Sequence, residues 1–297
     1  MLHTIDLHFQ GLTQSIAAFL LETEKGPILF ETGPHSTWPY LVQGLAEKGY
    51  KPEDLKAAFV THIHLDHAGA SWALAREGVT IYVHPFGYKH LLDPSKLMHS
   101  ARRIYQDDMD RLWGDMQAID EDKLVAVEDG KVFEFGDIQV KALHTPGHAV
   151  HHIAWQVGDH IICGDVAGVK INKGPIVPPC PPPDINVEDW KRSIEILRKE
   201  KPEVLWLTHF GPIHSIGTHL DTLERKLDHY ANWMKPHYDA KEAADEITPL
   251  LQKMADEELK EYDIDAEDKA RYDLANPAWM SVAGLLRYWK KRTERQD

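Results

Sequence analysis

The feature that most constrains this chain is the run Thr61-His62-Ile63-His64-Leu65-Asp66-His67, entered directly from the apolar stretch 57–60. A short apolar stretch of that kind reads as a buried strand. His62 and His64 lie two apart at its end, where alternate side chains point to the same side, so the two rings can reach one ion together. Asp66 and His67 follow where the chain has to turn, with Gly69 giving it freedom to do so, and their side chains can face a second ion. Histidine and aspartate are poor strand formers and costly to bury unpaired. Four such groups between positions 62 and 67 are therefore better explained by metal than by packing. The 19 histidines point the same way, since a solvated surface needs few of them and several are clustered.

Strand and helix signals alternate around that run. Strands are expected at 4–9, 15–22 and 28–31, separated by Gly11 and the Lys25-Gly26-Pro27 break. A helix is expected at 40–48 ending at Gly49, a short one at 71–76, and a strand at 79–84. Residues 86–119 differ. They are helical in pattern, with Tyr105, Met109, Leu112 and Met116 spaced for one face, and read as an insertion into the succession of strands. Further strands are expected at 124–127, 131–135, 138–143, 153–157 and 161–163. A proline-rich loop at 175–183, a helix at 187–199 capped by Asn186, and a strand at 204–207 leading to Thr208-His209 complete this part. From Ser215 onward the chain reads as helical. One stripe is Ile216, Leu220, Leu223, Leu227, Tyr230 and Met234; another is Trp279, Val282, Leu286 and Trp289. The acidic stretch 239–268 between them reads as a solvated helical face. The pattern alone says mixed α and β.

Lys plus Arg count 33 against 47 Asp plus Glu, a formal charge of -14. That field repels phosphate backbones, so no nucleic-acid partner is expected, and it disfavours an anionic membrane surface. The N-terminal residues lack the basic and apolar regions of a signal peptide, and no apolar run reaches the ~18 residues of a membrane span. Two cysteines, Cys163 and Cys180, are too few for a disulfide framework. The expectation is a reduced, soluble, cytoplasmic protein acting on a small molecule, with a homodimer possible through the Trp279–Trp289 stripe.

The histidine run matches the His-x-His-x-Asp-His signature of the metallo-β-lactamase superfamily, and three later blocks agree with it in family order. Thr145-Pro146-Gly147-His148 resembles the second ligand block, Gly164-Asp165 the block that supplies the bridging carboxylate, and Thr208-His209 the last. The resemblance spans about residues 4–214. It implies an α+β fold, a four-layer αββα sandwich over residues 1–214 with the helical insertion at about 86–119, and a helical extension over 215–297 packed on that core. It also implies two divalent metal ions, zinc first with iron or manganese open. His62, His64 and His148 would hold one ion, Asp66, His67 and His209 the other, and Asp165 would bridge them, with Asp66 and Asp165 carrying catalytic roles. One departure is Glu31-Thr32-Gly33 where the family often has Asp-Thr-Gly; the family aspartate orients the ligand loop, and glutamate can do so with a longer reach.

Two ions sharing one water favour hydrolysis. The reading is cleavage of a lactone, thioester or related ester bond; a mono-iron persulfide-dioxygenase-like oxidoreductase and a phosphodiesterase are the alternatives, and a non-catalytic metal-binding module is the third class. His35, Trp38, Phe86, Tyr105 and Phe210 are candidates for the substrate pocket. His144, His151 and His152 flank a ligand block and read as structural or surface histidines before donors that support the ligands. The C-terminal tail from about Asp239 is expected to bear on folding or substrate binding rather than on metal binding.

Overall fold

Alternation along the strands decides the layering. In the computed structural model, which describes residues 2–294, Ala17, Phe19 and Leu21 of the strand Ala17–Leu21 face one buried cluster, while Ala18 and Leu20 face another. The same division runs through the second half: Ala142, Trp155 and Ile162 point to the cluster shared with Phe19, and Leu143, Ala154 and Ile161 point away from it. A strand buried on both faces must be covered on both. Two sheets therefore pack face to face, with helices over each outer surface, giving the expected four-layer α+β sandwich.

The first sheet runs in sequence order through β1 (Leu2–Asp6), β2 (Ala17–Leu21), β3 (Ile28–Phe30), β4 (Ala57–Phe59), β5 (Thr80–Val83) and β6 (Leu124–Ala126). The first three strands pair antiparallel, and from β3 onward the pairing is parallel. Parallel neighbours need long crossovers. These are α1 (Trp38–Glu47), then α2 (Leu65–Ala68) with α3 (Ser71–Arg76), then α4 (Pro85–Leu92), α5 (Ser95–Tyr105) and α6 (Met109–Trp113). The helical segment at 86–119 is thus an enlarged version of the crossover that the parallel pair β5–β6 requires. The second sheet contains β7 (Val132–Phe135), β8 (Ile138–His144), β9 (Ile153–Val157), β10 (His160–Gly164), β11 (Val204–Leu207) and β12 (Gly211–Ile213), in the order β12-β11-β10-β9-β8-β7. Its single parallel pair, β10–β11, is joined through α7 (Val187–Lys199), where the Asn186 side chain accepts from the Asp189 N–H at 3.0 Å as the expected cap.

Four helices follow: α8 (Ile216–Ala240), α9 (Ala244–Glu261), α10 (Ala266–Ala275) and α11 (Ala278–Glu294). Their buried residues join the cluster on the outer face of the second sheet. Three expectations change here. Tyr105, Met109, Leu112 and Met116 do not share one helix: Gln106 has φ 47°, which ends α5 and starts a new direction, and Met116 lies beyond α6. All four still pack on the same core. On α11 the buried face is Ser281, Val282, Leu285 and Tyr288, and Trp279 is 40% exposed, because the helix turns its indole toward a cavity instead of the core. The acidic stretch is not only a solvated face. Ile247, Leu251 and Leu259 are buried, and Asp268 is buried in an ion pair with Arg271, whose Nε donates to the Thr13 carbonyl at 2.7 Å.

Between the sheets, Phe59 has ring contacts with Phe30, Tyr82, Phe133, Phe135 and Trp155 at centroid distances from 4.5 to 6.0 Å. Such pairs add to simple burial. Phe59→Ala is expected to cost about 3–5 kcal/mol in urea unfolding; a loss near the size of a surface substitution would show that the two sheets are held together elsewhere.

Candidate metal centre

Each proposed ligand stands just beyond the C-terminal end of a strand, at one edge of the sandwich. β4 delivers His62, His64, Asp66 and His67; β8 leads to His148; β10 to Asp165; β11 to His209. The turn after β10 is possible because Gly164 has φ 49° and a side chain there would sit 2.4 Å from Thr61 Oγ1. That close approach places Asp165 opposite the histidine loop.

Two groups of ligand atoms result. One comprises His62, His64, His148 and Asp165, and the other Asp66, His67 and His209, with the atoms of each group within 4.8 Å of one another. In the first, His64 Nδ1 lies 2.9 Å from His62 Nε2 and 3.0 Å from His148 Nε2. Asp165 Oδ2 is 3.2 Å from His148 Nε2, while its other oxygen, Oδ1, is 3.4 Å from His67 Nε2 and 3.6 Å from His209 Nε2. Asp66 Oδ2 is 3.7 Å from His67 Nε2 and 3.5 Å from His209 Nε2. One carboxylate therefore faces both groups.

In four of these histidines, His62, His67, His148 and His209, Nδ1 is occupied from behind, which leaves Nε2 available. His148 Nδ1 meets the Pro179 carbonyl at 3.0 Å, His209 Nδ1 the Ser15 carbonyl at 2.7 Å, and His67 Nδ1 a Glu31 oxygen at 3.1 Å. His62 Nδ1 is 3.0 Å from Thr61 Oγ1, whose own hydroxyl donates to Glu31 at 2.6 Å. Acceptors at Nδ1 assign the proton there and leave Nε2 as a ligand atom. Glu31 thus gathers Thr61, His67 and Thr208, the last at 3.2 Å. It does so from a left-handed backbone, φ 63°, a conformation that costs a non-glycine residue on the order of 1 kcal/mol. His152 supports the same loop, with its Nε2 accepting from the Asp165 N–H at 3.3 Å.

The donor set fits metal ions on physical grounds. His67 Nε2, His209 Nε2 and Asp165 Oδ1 are buried without a hydrogen-bond partner, a state that costs roughly 1–3 kcal/mol per group unless something binds there. Nitrogen and carboxylate donors without thiolate suit divalent zinc, iron or manganese. Both cysteines are buried, and burial raises their thiols. Titration separates the two groups. Burial, with repulsion from His148, pushes His64 down to about 3, and burial lowers His62 and His148 as well. Burial also opposes charge on His67 and His209, but carboxylates outweigh it and raise both: Asp165, Asp66 and Glu31 at His67, Asp66 and Asp165 at His209. Burial would lift Asp66, yet His67 and His209 bring it down to about 2.

A cavity of about 470 Å³ opens over the centre, lined by His64, Asp66 and Asp165 at its floor. Its walls come from the helical crossover (Leu97, Ile104, Tyr105, Trp113), from the prolines Pro181, Pro182 and Pro183, and from the α10–α11 junction (Leu274, Pro277, Trp279, Met280). Of the five pocket candidates, Tyr105 lines this cavity. The other four are corrected by the structure. His35 packs on Trp72 at 4.6 Å; Trp38 starts α1 and packs in the first-sheet core; Phe86 is 63% exposed beside His84; and Phe210 lies between the two second-sheet clusters. His144 stacks on His84 at 4.6 Å, and His151 lies behind His62 with a ring separation of 6.1 Å. The carbonyls of Ser15 and Pro179 and the wall from the α10–α11 junction had no sequence signal, because any residue type can supply a carbonyl and an apolar wall resembles core.

The sequence model of the Metallo-beta-lactamase superfamily matches residues 13–209. Among curated proteins, the metallo-beta-lactamase fold-containing protein ST1585 of Sulfurisphaera tokodaii is 32% identical over 159 residues, covering 51% of this chain and 59% of its own length. An N-acyl homoserine lactonase of Bacillus thuringiensis is 25% identical over 228 residues, covering 66% of this chain and 81% of its own. The solved structure of TTHA1429, a metallo-beta-lactamase family protein of Thermus thermophilus, superposes with a TM-score of 0.67 over 99% of this chain and 94% of that one, at 20% identity. That likeness concerns the fold, and it extends through the C-terminal helices.

The carboxylates around His67 and His209 favour their protonated forms, so metal uptake there competes with protons. Zinc binding to the metal-free protein near neutral pH is therefore expected to release about one to two protons, and affinity should fall as pH falls. Calorimetry in buffers of different ionisation enthalpy measures the release, and binding without any would contradict the assignment. Asp165→Ala should lose at least one ion in metal analysis; retention of both at full occupancy would remove the bridging role.

Proposed function

The chain belongs to the metallo-beta-lactamase superfamily, and from that premise we propose that it is a binuclear metal-dependent hydrolase of small, uncharged carboxylic esters, lactones foremost and thioesters next. The observation that carries this reading is Asp165: its two oxygens face two separate groups of imidazoles at the floor of an apolar cavity. A pair of divalent ions, when bound, supplies the electrophilic and water-activating chemistry that ester cleavage needs. The chain's own groups set what can be cleaved.

Asp66, 21% exposed at the side chain, is the ionised carboxylate that looks into the cavity, where it can take up the proton lost by the attacking water and hand it to the departing alkoxide. Tyr105 has its hydroxyl raised above the ordinary range by burial and by the charge of Asp66, so it stays protonated and can donate to a substrate oxygen. Among the described lining residues the one lysine or arginine is Arg111, already held by Asp108 and Gln10. Of the lining carboxylates, Asp108 is paired with Arg111 and Asp273 with Lys269. On the walls a polyanionic leaving group finds no free side-chain cation, whereas a neutral ester with an apolar tail removes its tail from water against Leu97, Ile104 and Trp279. The lactonase relative supports a lactone. No helix among the described residues is long and apolar enough to cross a membrane.

The test is a pH-stat panel on the zinc- and iron-reconstituted protein, with lactones, simple esters, thioesters, β-lactams and phosphodiesters, and Asp165→Ala as the blank. Acid release from neutral lactones, absent in the blank, is the expected result. Inactivity on every carboxylic ester with both metals would sink the proposal. Tyr105→Phe is expected to lower kcat on lactones about ten- to a hundredfold with metal content intact; an unchanged kcat would leave Tyr105 as a wall of the cavity only.

A further inference from the structure

One peptide unit links α11 directly to a candidate ligand of the first group. His148 Nδ1 donates to the carbonyl of Pro179 at 3.0 Å. The same peptide carries the Cys180 N–H on its opposite edge, and that group donates to Ser281 Oγ on α11 at 3.2 Å. The hydroxyl of Ser281 in turn donates to Asn276 Oδ1 at 2.8 Å, which fixes the serine lone pair toward Cys180. The next carbonyl, that of Cys180, lies against Gly284, one helical turn further on, where an added Cβ would sit 1.9 Å from the oxygen. Cys180 and Ser281 are fully buried, so water cannot replace either partner.

We propose that Ser281 is a positioning residue for the His148 imidazole, acting through the planar Pro179–Cys180 peptide, so that the C-terminal extension tunes the first metal site. A trans peptide is rigid. Rotating its N–H away from Ser281 necessarily rotates the Pro179 carbonyl away from His148, and the ring loses the acceptor that sets its tautomer and tilt. Partners that orient a ligand histidine in this way are typically worth about 10–100-fold in metal affinity. The expectation that the tail bears on substrate and folding alone is thereby revised. The inference rests on His148 as a ligand, but not on which ester the protein cleaves.

The experiment is chelator-competition titration of the full-length, metal-free protein with Zn²⁺, and with Co²⁺ to follow its visible absorption. The wild-type chain should take up two ions; uptake of none would remove His148 as a ligand and this proposal with it. Ser281→Ala should weaken one of the two about tenfold or more and change the cobalt spectrum, while Ser281→Thr, which keeps the hydroxyl, restores both in part. Tyr288→Phe is the control. It removes another α11 contact, to Glu188 at 3.0 Å, and should lower Tm without moving either dissociation constant. Equal zinc affinities in Ser281→Ala and the wild type would overturn the proposal, as would an equal loss in Tyr288→Phe, which would reduce the effect to general destabilisation. If Ser281→Ala does not accumulate in folded form, Asn276→Leu removes the acceptor that orients the serine and is read in the same way.

Discussion

The Asp165 carboxylate is 3% exposed and lies among imidazoles on both sides, one oxygen toward His148 and the other toward His67 and His209. Burying a charge is costly unless it is paired and bonded, so this placement dictates much of its surroundings. Gly164 has to allow the turn, His152 has to hold the backbone N–H of Asp165, and Glu31 has to keep His67 aimed at it. Glu31 accepts an unfavourable backbone conformation to reach Thr61, His67 and Thr208 together. The longer side chain in the Glu31-Thr32-Gly33 segment therefore bonds a ligand and the two threonines that stand beside ligands, where the family often has aspartate.

The clustering of the candidate ligands was legible in the sequence because metal binding demands particular side chains at particular spacings, and few other needs place His62, His64, Asp66 and His67 in one short run. The sandwich was legible in part. Its helix at Val187–Lys199 and its strand at Val204–Leu207 follow from caps and apolar runs. β12 (Gly211–Ile213) is short and contains Pro212, and it carries no such signal. The pocket was the least legible. His35, Trp38, Phe86 and Phe210 satisfy every compositional criterion for a binding wall, yet their places are decided by packing against Trp72, the first-sheet core, His84 and the second-sheet clusters. Trp279 belongs to the cavity because α11 buries a face rotated from the stripe that its tryptophans suggest.

The two long helical segments meet over the centre from distant parts of the chain. Tyr105 at the end of α5 and Trp279 at the start of α11 are 5.9 Å apart, and both line the cavity. The crossover that the parallel pair β5–β6 obliges the chain to make has been lengthened into one wall, and the extension supplies the other. The walls are apolar, and among the described lining residues the one arginine or lysine, Arg111, is paired with Asp108.

The hydrogen bond from His209 to the Ser15 carbonyl joins residues 194 positions apart, and the ligands themselves come from both sheets. No fragment of the chain carries a complete site of either kind until the second sheet has closed on the first. Contacts of such sequence separation form late and slowly. A metal ion held by these groups would be captured late in folding and would stabilise only the assembled state. A chain that ends before His209 lacks one of the three residues of the second candidate group.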